Sequence, residues 1–208
     1  MRRIYLDAPG ELRLVDAARP ARPGVAEATV KVHSVGVCGT DLHAIRGKQT
    51  FFTYPRVLGH ELGVEVVDLA AAPGSSGIAL GDRCCVIPYL HCGTCSACAR
   101  GKPNCCEKMQ VLGVHVDGGL SEFINVPLDK LCKSASLSFD ELALVEMLSI
   151  GAHAVQRADL SAGEDVLVIG AGPIGLSVAE AARVAGAHVL MMDISQSRLD
   201  FCREKMAI

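Results

Sequence analysis

Four cysteines constrain this chain more than any other feature. Cys92, Cys95, Cys98 and Cys106 stand at C-x2-C-x2-C-x7-C. The short spacings let three thiolates of one tight loop face a common point, and the fourth closes a tetrahedron. An all-cysteine set of four is the signature of structural zinc. Gly93 and Gly101 permit the backbone turns such a loop needs. Cys105 competes with Cys106 for the fourth place, and spacing leaves both open.

Ten cysteines in all, some in adjacent pairs (Cys84-Cys85, Cys105-Cys106), come without a secretory signal, because the apolar stretch at the N-terminus stops at Asp7. Metal ligation in a reducing, cytoplasmic compartment is therefore expected over a disulfide framework. Half of the 208 residues are hydrophobic and the net charge is −3, which excludes a disordered chain and gives no basic excess for nucleic acid. No apolar run approaches the roughly 18 residues that span a bilayer.

The first part reads as short strands. Residues 28–33 alternate apolar and polar; Val64-Glu65-Val66 and Cys84-Cys85-Val86-Ile87 are further strands, the latter ended by Pro88. Pro73–Gly77 reads as a loop. Near residue 138 the texture changes. Ser138 can cap a helix carrying Leu142, Val145, Ser149 and Ala152. A strand over 165–169, a glycine turn, an Ala-rich helix to about Ala185 and a strand over 188–193 then give β-α-β. The expected organisation is α/β with mixed sheet, in two domains, 1–150 and 151–208.

The turn Gly170-Ala171-Gly172-Pro173-Ile174-Gly175 follows a strand and opens a helix. Gly170 makes the turn, Gly172 lets backbone approach a pyrophosphate, and Gly175 allows close helix–strand packing. Pro173 suits the first helical position. Asp193 ends the next strand, where a carboxylate meets ribose hydroxyls. Arg198 lies five residues on and is the basic group that could receive a 2′-phosphate; it is read as a solvated helix residue, with Asp193 dominant and NAD preferred over NADP.

A second, open metal site is suggested by Cys38, in Gly36-Val37-Cys38-Gly39-Thr40-Asp41-Leu42-His43, and by His60 with Glu61. Glu146 is the only polar residue in Leu142–Leu148. A buried carboxylate there needs a compensating partner such as a metal ion; a helix edge meeting solvent explains it equally well.

Cys38–His43, Tyr54-Pro55 with Gly59-His60-Glu61, the four-cysteine loop, Asp117-Gly118-Gly119, Glu146 with Ser149, and the glycine turn occur together in one order. In this the chain resembles the zinc-dependent medium-chain dehydrogenases, in their sorbitol and threonine dehydrogenase-like branch. The stretches Asn104–Lys108 and Val111–His115 resemble bacterial members thought to oxidise sugar acids such as L-galactonate. The resemblance implies a GroES-like β domain followed by the first part of a Rossmann domain, and hydride transfer between a secondary alcohol of a polyol or sugar acid and NAD. It implies one catalytic zinc, held by Cys38, His60 and Glu146 with Glu61 beside it or exchanging onto it, and one structural zinc on Cys92, Cys95, Cys98 and Cys106. It maps a proton relay to Thr40 and His43, and implies a homo-oligomer for the full-length protein.

Family members continue past two strands of the nucleotide-binding sheet. The chain is therefore expected to be incomplete, with little activity alone and an exposed sheet edge that favours association. A non-catalytic zinc module and an inactive truncated copy are the competing readings. One departure concerns packing: the family usually has glycine where Val64 stands, and Gly63 precedes it. Cys84, Cys85 and Cys132 are expected to be core thiols, Cys202 a helix residue and Met191-Met192 core, while His33, His91, His115, His153 and His188 have no evident partner.

Overall fold

A computed structural model describes residues 1–50, 52–70 and 77–208. Residues 73–76 of the expected Pro73–Gly77 loop lie outside these. The chain divides into two compact units, Met1–Leu144 and Val145–Ile208.

The first unit opens with an antiparallel hairpin, β1 (Arg2–Ala8) and β2 (Glu11–Asp16), two strands beyond those expected from the sequence pattern. There follow β3 (Glu27–Gly36), α1 (Gly39–Ile45), β4 (Glu61–Leu69), β5 (Arg83–Val86), β6 (Tyr89–Leu90), α2 (Ser96–Ala99), β7 (Gln110–Val111), β8 (Phe123–Pro127) and β9 (Leu131–Lys133). Five strands form an antiparallel sheet in the order β8-β3-β4-β5-β9. Alternation sends Val30, Val64, Val66, Cys84, Val86 and Leu131 into one apolar core. Each fully buried aliphatic side chain there contributes roughly 1.5–3 kcal/mol.

The hairpin has a positioning task. Leu6 is fully buried with Ala44 and Leu58 in a second small core. Its backbone exchanges hydrogen bonds with Arg56, at 2.8 and 3.0 Å. That fixes the segment running into Gly59-His60.

The strand reading around Val64 has a definite outcome. Val64 is buried in the core. The close approach falls at Gly63, where a Cβ would stand 2.0 Å from the Phe139 carbonyl oxygen. The chain thus needs its glycine at 63, where the start of the next helix crosses β4.

That helix is α3 (Phe139–Ala158), and the division between units falls within it. Ser138 caps it as expected: Ser138 Oγ accepts from the Glu141 N–H at 3.3 Å, and the Glu141 carboxylate accepts from the Ser138 N–H at 2.8 Å. The second unit continues with β10 (Asp165–Ile169), α4 (Pro173–Val184), β11 (His188–Met192) and α5 (Gln196–Met206). β10 and β11 pair in parallel, Asp165 opposite His188 through Ile169 opposite Met192. This is the expected β-α-β, with Asp193 one residue beyond the strand.

Three expectations are corrected. Cys132 is exposed, because β9 is the edge strand and Cys132 points away from the core that Leu131 enters. Met192 is 57% exposed on the outer face of β11. Four of the five histidines have partners: His33 stacks on Phe139 and meets Glu65, His91 meets Lys130, His115 accepts from the Val111 N–H, and His188 meets Asp165. Cys84 and Cys85 are buried as expected, and Cys202 is the expected helix residue, in α5, where it is buried.

Candidate metal centres and nucleotide turn

Cys38 is the residue from which α1 starts, in extended conformation, and its N–H donates to Asp41 Oδ2 at 2.9 Å. The same carboxylate accepts from the Gly59 N–H at 3.4 Å and lies 3.8 Å from His60 Nδ1. Asp41 is buried and ties the helix start to the strand entry.

His60 and Glu61 are both 6% exposed. Glycines make their approach possible. A Cβ on Gly118 would stand 2.2 Å from the Gly59 carbonyl oxygen, and a Cβ on Gly36 would stand 2.1 Å from Glu61 Oε2. The Gly119 N–H donates to that Gly59 oxygen at 2.8 Å. The Asp117 carboxylate accepts from the Val57 N–H and faces Arg56 and Arg3. The Asp117-Gly118-Gly119 motif is therefore the bed on which Gly59-His60 lies.

The donor atoms of Cys38, His60 and Glu61 all lie within 4.8 Å of one another. Hydrogen bonding from His60 pulls the Cys38 thiol below its ordinary range, helped by the Thr40 N–H and hydroxyl and opposed by partial burial. A thiolate, an imidazole and a carboxylate are zinc donors, and three of them leave room for a further ligand. Thr40 is half-buried beside Cys38, and His43 is exposed one turn further along α1. Glu146 belongs to the second unit, on α3, and is 8% exposed; the Ser149 hydroxyl donates to its backbone carbonyl at 2.6 Å.

Cys92, Cys95, Cys98 and Cys106 also bring their sulfurs within 4.8 Å of one another, and Cys105 stands outside this group, exposed. The turns aim N–H groups at sulfur: Cys95 to Cys92, Cys92 to Cys106 and Lys108 to Cys106, each at 3.3 Å. Bonds from the Thr94 N–H and hydroxyl, then from the Cys95 N–H, bring Cys92 down to about 5. Burial and the neighbouring sulfurs push Cys98 up to about 12. Four thiols held this close suit a cation that binds them as thiolates.

In the second unit, Gly172 is extended and caps α4, with Pro173 at its first turn. A Cβ on Gly175 would stand 1.7 Å from the Gly170 carbonyl oxygen, whereas the space around Gly172 is open. Ile174 is partly exposed on the same turn. The Asp193 side chain is 5% exposed; it accepts from the Ala171 N–H at 2.6 Å and the Ser195 N–H at 2.8 Å. These bonds, that of Ser195 foremost, hold its carboxyl below the usual range. Arg198 is solvent-facing as expected, yet its guanidinium is 3.6 Å from Asp193.

Residues 24–136 match the family model of the alcohol dehydrogenase GroES-like domain. The chain belongs to the zinc-type alcohol dehydrogenase family. It is 46% identical over 186 residues to L-galactonate-5-dehydrogenase of Escherichia coli K12, covering 89% of this chain and 54% of that protein. Among solved structures it is similar to galactitol-1-phosphate dehydrogenase from Escherichia coli, with TM-score 0.91, 30% identity, and 98% of this chain and 58% of that one covered. It is also similar to a short chain alcohol dehydrogenase of Escherichia coli CFT073 solved with NADH, with TM-score 0.89, 34% identity, and 98% and 60% covered. The chain thus spans little more than half the length of these relatives. The expected fold, a GroES-like domain followed by the opening of a nucleotide-binding domain, agrees with these matches.

Asp41 has no role in the ligand pattern of the sequence. The signal was present: an acidic residue three places after Cys38, at a helix start, is half of a capping box.

Proposed function

We propose that the protein oxidises a secondary alcohol of a polyol or sugar acid, passing hydride to NAD, with L-galactonate as the leading substrate. The observation that carries this reading is the convergence of Cys38, His60 and Glu61 within 4.8 Å, in a chain 46% identical to an L-galactonate dehydrogenase. Cys38 and His60 would hold a catalytic zinc, with Glu146 as the third protein ligand and Glu61 beside it or exchanging onto it. Bound there, zinc supplies a Lewis acid that lowers the pKa of the substrate hydroxyl. Nicotinamide supplies the hydride acceptor.

The chain's own residues orient and move protons. Asp41 holds the His60 ring and the Cys38 backbone in register. Thr40 takes the hydroxyl proton inside the site, and His43 hands it to water. Gly170, Gly172, Pro173, Ile174 and Gly175 form the pyrophosphate turn, whose helix N-terminus attracts the anion. Asp193 accepts from ribose hydroxyls, and Arg198 steadies that carboxylate. Cys92, Cys95, Cys98 and Cys106 hold a structural zinc. We place the protein in the cytoplasm, as a homo-oligomer.

The test is nicotinamide reduction by the zinc-loaded whole protein over L-galactonate, sorbitol, galactitol and ethanol. Turnover of a sugar acid or polyol above ethanol is expected. No reduction of NAD or NADP with any of them would overturn the reading.

A further inference from the structure

A thiol pair lies apart from both metal clusters. β5 and β9 pair antiparallel with Cys85 directly opposite Cys132, and β9 is the sheet's edge. Opposed residues on antiparallel strands share a face, with Cα atoms about 4.5–5.5 Å apart. The Ile87 N–H donates to the Lys130 carbonyl and the Ser134 N–H to the Arg83 carbonyl, two residues to either side, so this is the wider, hydrogen-bonded kind of pair; its Cα separation lies within the roughly 4.4–6.8 Å that disulfides span. Alternation sends Cys84, next in sequence, to the opposite face and into the core.

The two thiols differ in access. Cys132 is exposed and Cys85 is 6% exposed. On its other side Cys85 is opposite Gly63, over which the Phe139 backbone passes. Burial first, and then the facing Cys132, raise the Cys85 thiol to about 11. Cys85 is therefore inert toward reagents in solution, while Cys132 meets them. Among the described residues, neither belongs to a group of converging metal donors.

We propose that Cys85 and Cys132 form a reversible redox-modification site, in which the edge-strand thiol captures a small disulfide and the buried thiol resolves it into a cross-strand disulfide. The Cys132 thiolate attacks one sulfur of a low-molecular-weight disulfide such as oxidised glutathione, and one thiolate leaves. Cys85 then attacks Cys132 Sγ, the second small thiolate leaves, and the Cys85 proton passes to a released small thiolate. Two protein thiols are oxidised to one disulfide, and one small disulfide is reduced to two thiols. Excess thiol reverses both steps, as suits a transient disulfide in a reducing compartment. The bridge would close the segment from 85 to 132, which contains all four cysteines of the metal loop. This inference is independent of the proposed catalytic reaction.

The experiment incubates zinc-loaded wild-type protein with oxidised glutathione, caps remaining thiols with N-ethylmaleimide, and maps cysteine peptides by mass spectrometry while zinc is assayed in parallel. The expected result is a linked pair of peptides holding Cys85 and Cys132, lighter by two hydrogens, with zinc retained and the link lost on adding dithiothreitol. In Cys85→Ser, Cys132 should stop at the glutathione adduct; in Cys132→Ser, Cys85 should remain a free thiol. A stable glutathione adduct on Cys132 with Cys85 still free in wild type would overturn the proposal. So would linkage that forms only after zinc is lost. The wild-type peptide map decides the matter even if a variant fails to fold.

Discussion

Asp41 spans the gap between Cys38 and His60: one carboxylate oxygen accepts from the Cys38 N–H at 2.9 Å, and the other lies 3.8 Å from His60 Nδ1. The two residues come from different elements, and this buried carboxylate sets their separation. Groups that orient a metal's ligands in this way typically change affinity by about 10–100-fold when altered. Asp41→Asn should lower zinc affinity at the Cys38 site by a factor in that range and leave the four-cysteine site loaded. Competition with a chromophoric chelator measures both, and equal loss from both sites would mean Asp41 serves the fold alone.

The metal loop makes a sharper distinction between neighbours. Cys106 is buried with the other three sulfurs around it, and Cys105 is exposed. Cys106→Ser should remove one zinc and, with it, much of the order of residues 92–106. Cys105→Ser should keep full metal content. Metal analysis of the two variants checks this, and loss of zinc from Cys105→Ser would reverse the assignment.

Gly172 and Gly175 separate binding from folding. A Cβ on Gly175 would overlap the Gly170 carbonyl, so Gly175→Ala should destabilise the second unit by about 1–3 kcal/mol, as overpacking does. A Cβ on Gly172 meets no atom of the described residues within 4 Å. Gly172→Ala should therefore destabilise far less than Gly175→Ala, losing only the preference of an N-cap for glycine over alanine, and should weaken dinucleotide binding. Calorimetry and fluorescence titration with NADH read the two effects; unchanged NADH affinity in Gly172→Ala would show that no ligand uses that space.

Asp193 carries a pH-dependent share of stability. Its carboxyl is held below the ordinary range by the Ser195 and Ala171 N–H groups, then by Arg198. A depressed folded-state pKa stabilises the fold above the unfolded value, about 3.9, and that contribution is lost as pH falls through the folded value. The wild type should lose more stability than Asp193→Asn between neutral pH and pH about 3. The same carboxylate repels a 2′-phosphate, so kcat/KM should favour NAD over NADP by roughly tenfold, about 1.4 kcal/mol. Arg198 at 3.6 Å offsets part of that repulsion, so Arg198→Ala should widen the preference; an unchanged ratio would remove Arg198 from cofactor selection.

Local signals made much of this legible in the sequence. The four-cysteine spacing, the glycine turn and the Ser138 cap each act within a few residues, and each is found where the pattern put it. What escaped depends on contacts between distant segments. Arg56 pairs with β1 across fifty residues, so nothing near Leu6 marked the hairpin's task. Cys132 read as a core thiol because alternation gives the period of a strand but not its position in the sheet, and β9 lies at the edge. Gly63 could be noticed but not explained, since the Phe139 carbonyl that requires it comes from a helix seventy-six residues later.

Cys38 is proposed to anchor a zinc on which alcohol oxidation depends, separate from the zinc of the four-cysteine loop. The most direct measurement is zinc content per chain, with nicotinamide reduction assayed on the same samples, for the whole wild-type protein and Cys38→Ser. The wild type should hold two zinc ions and turn over, and the variant should hold one zinc ion with turnover abolished. Full turnover in Cys38→Ser, or unchanged zinc content, would contradict that role.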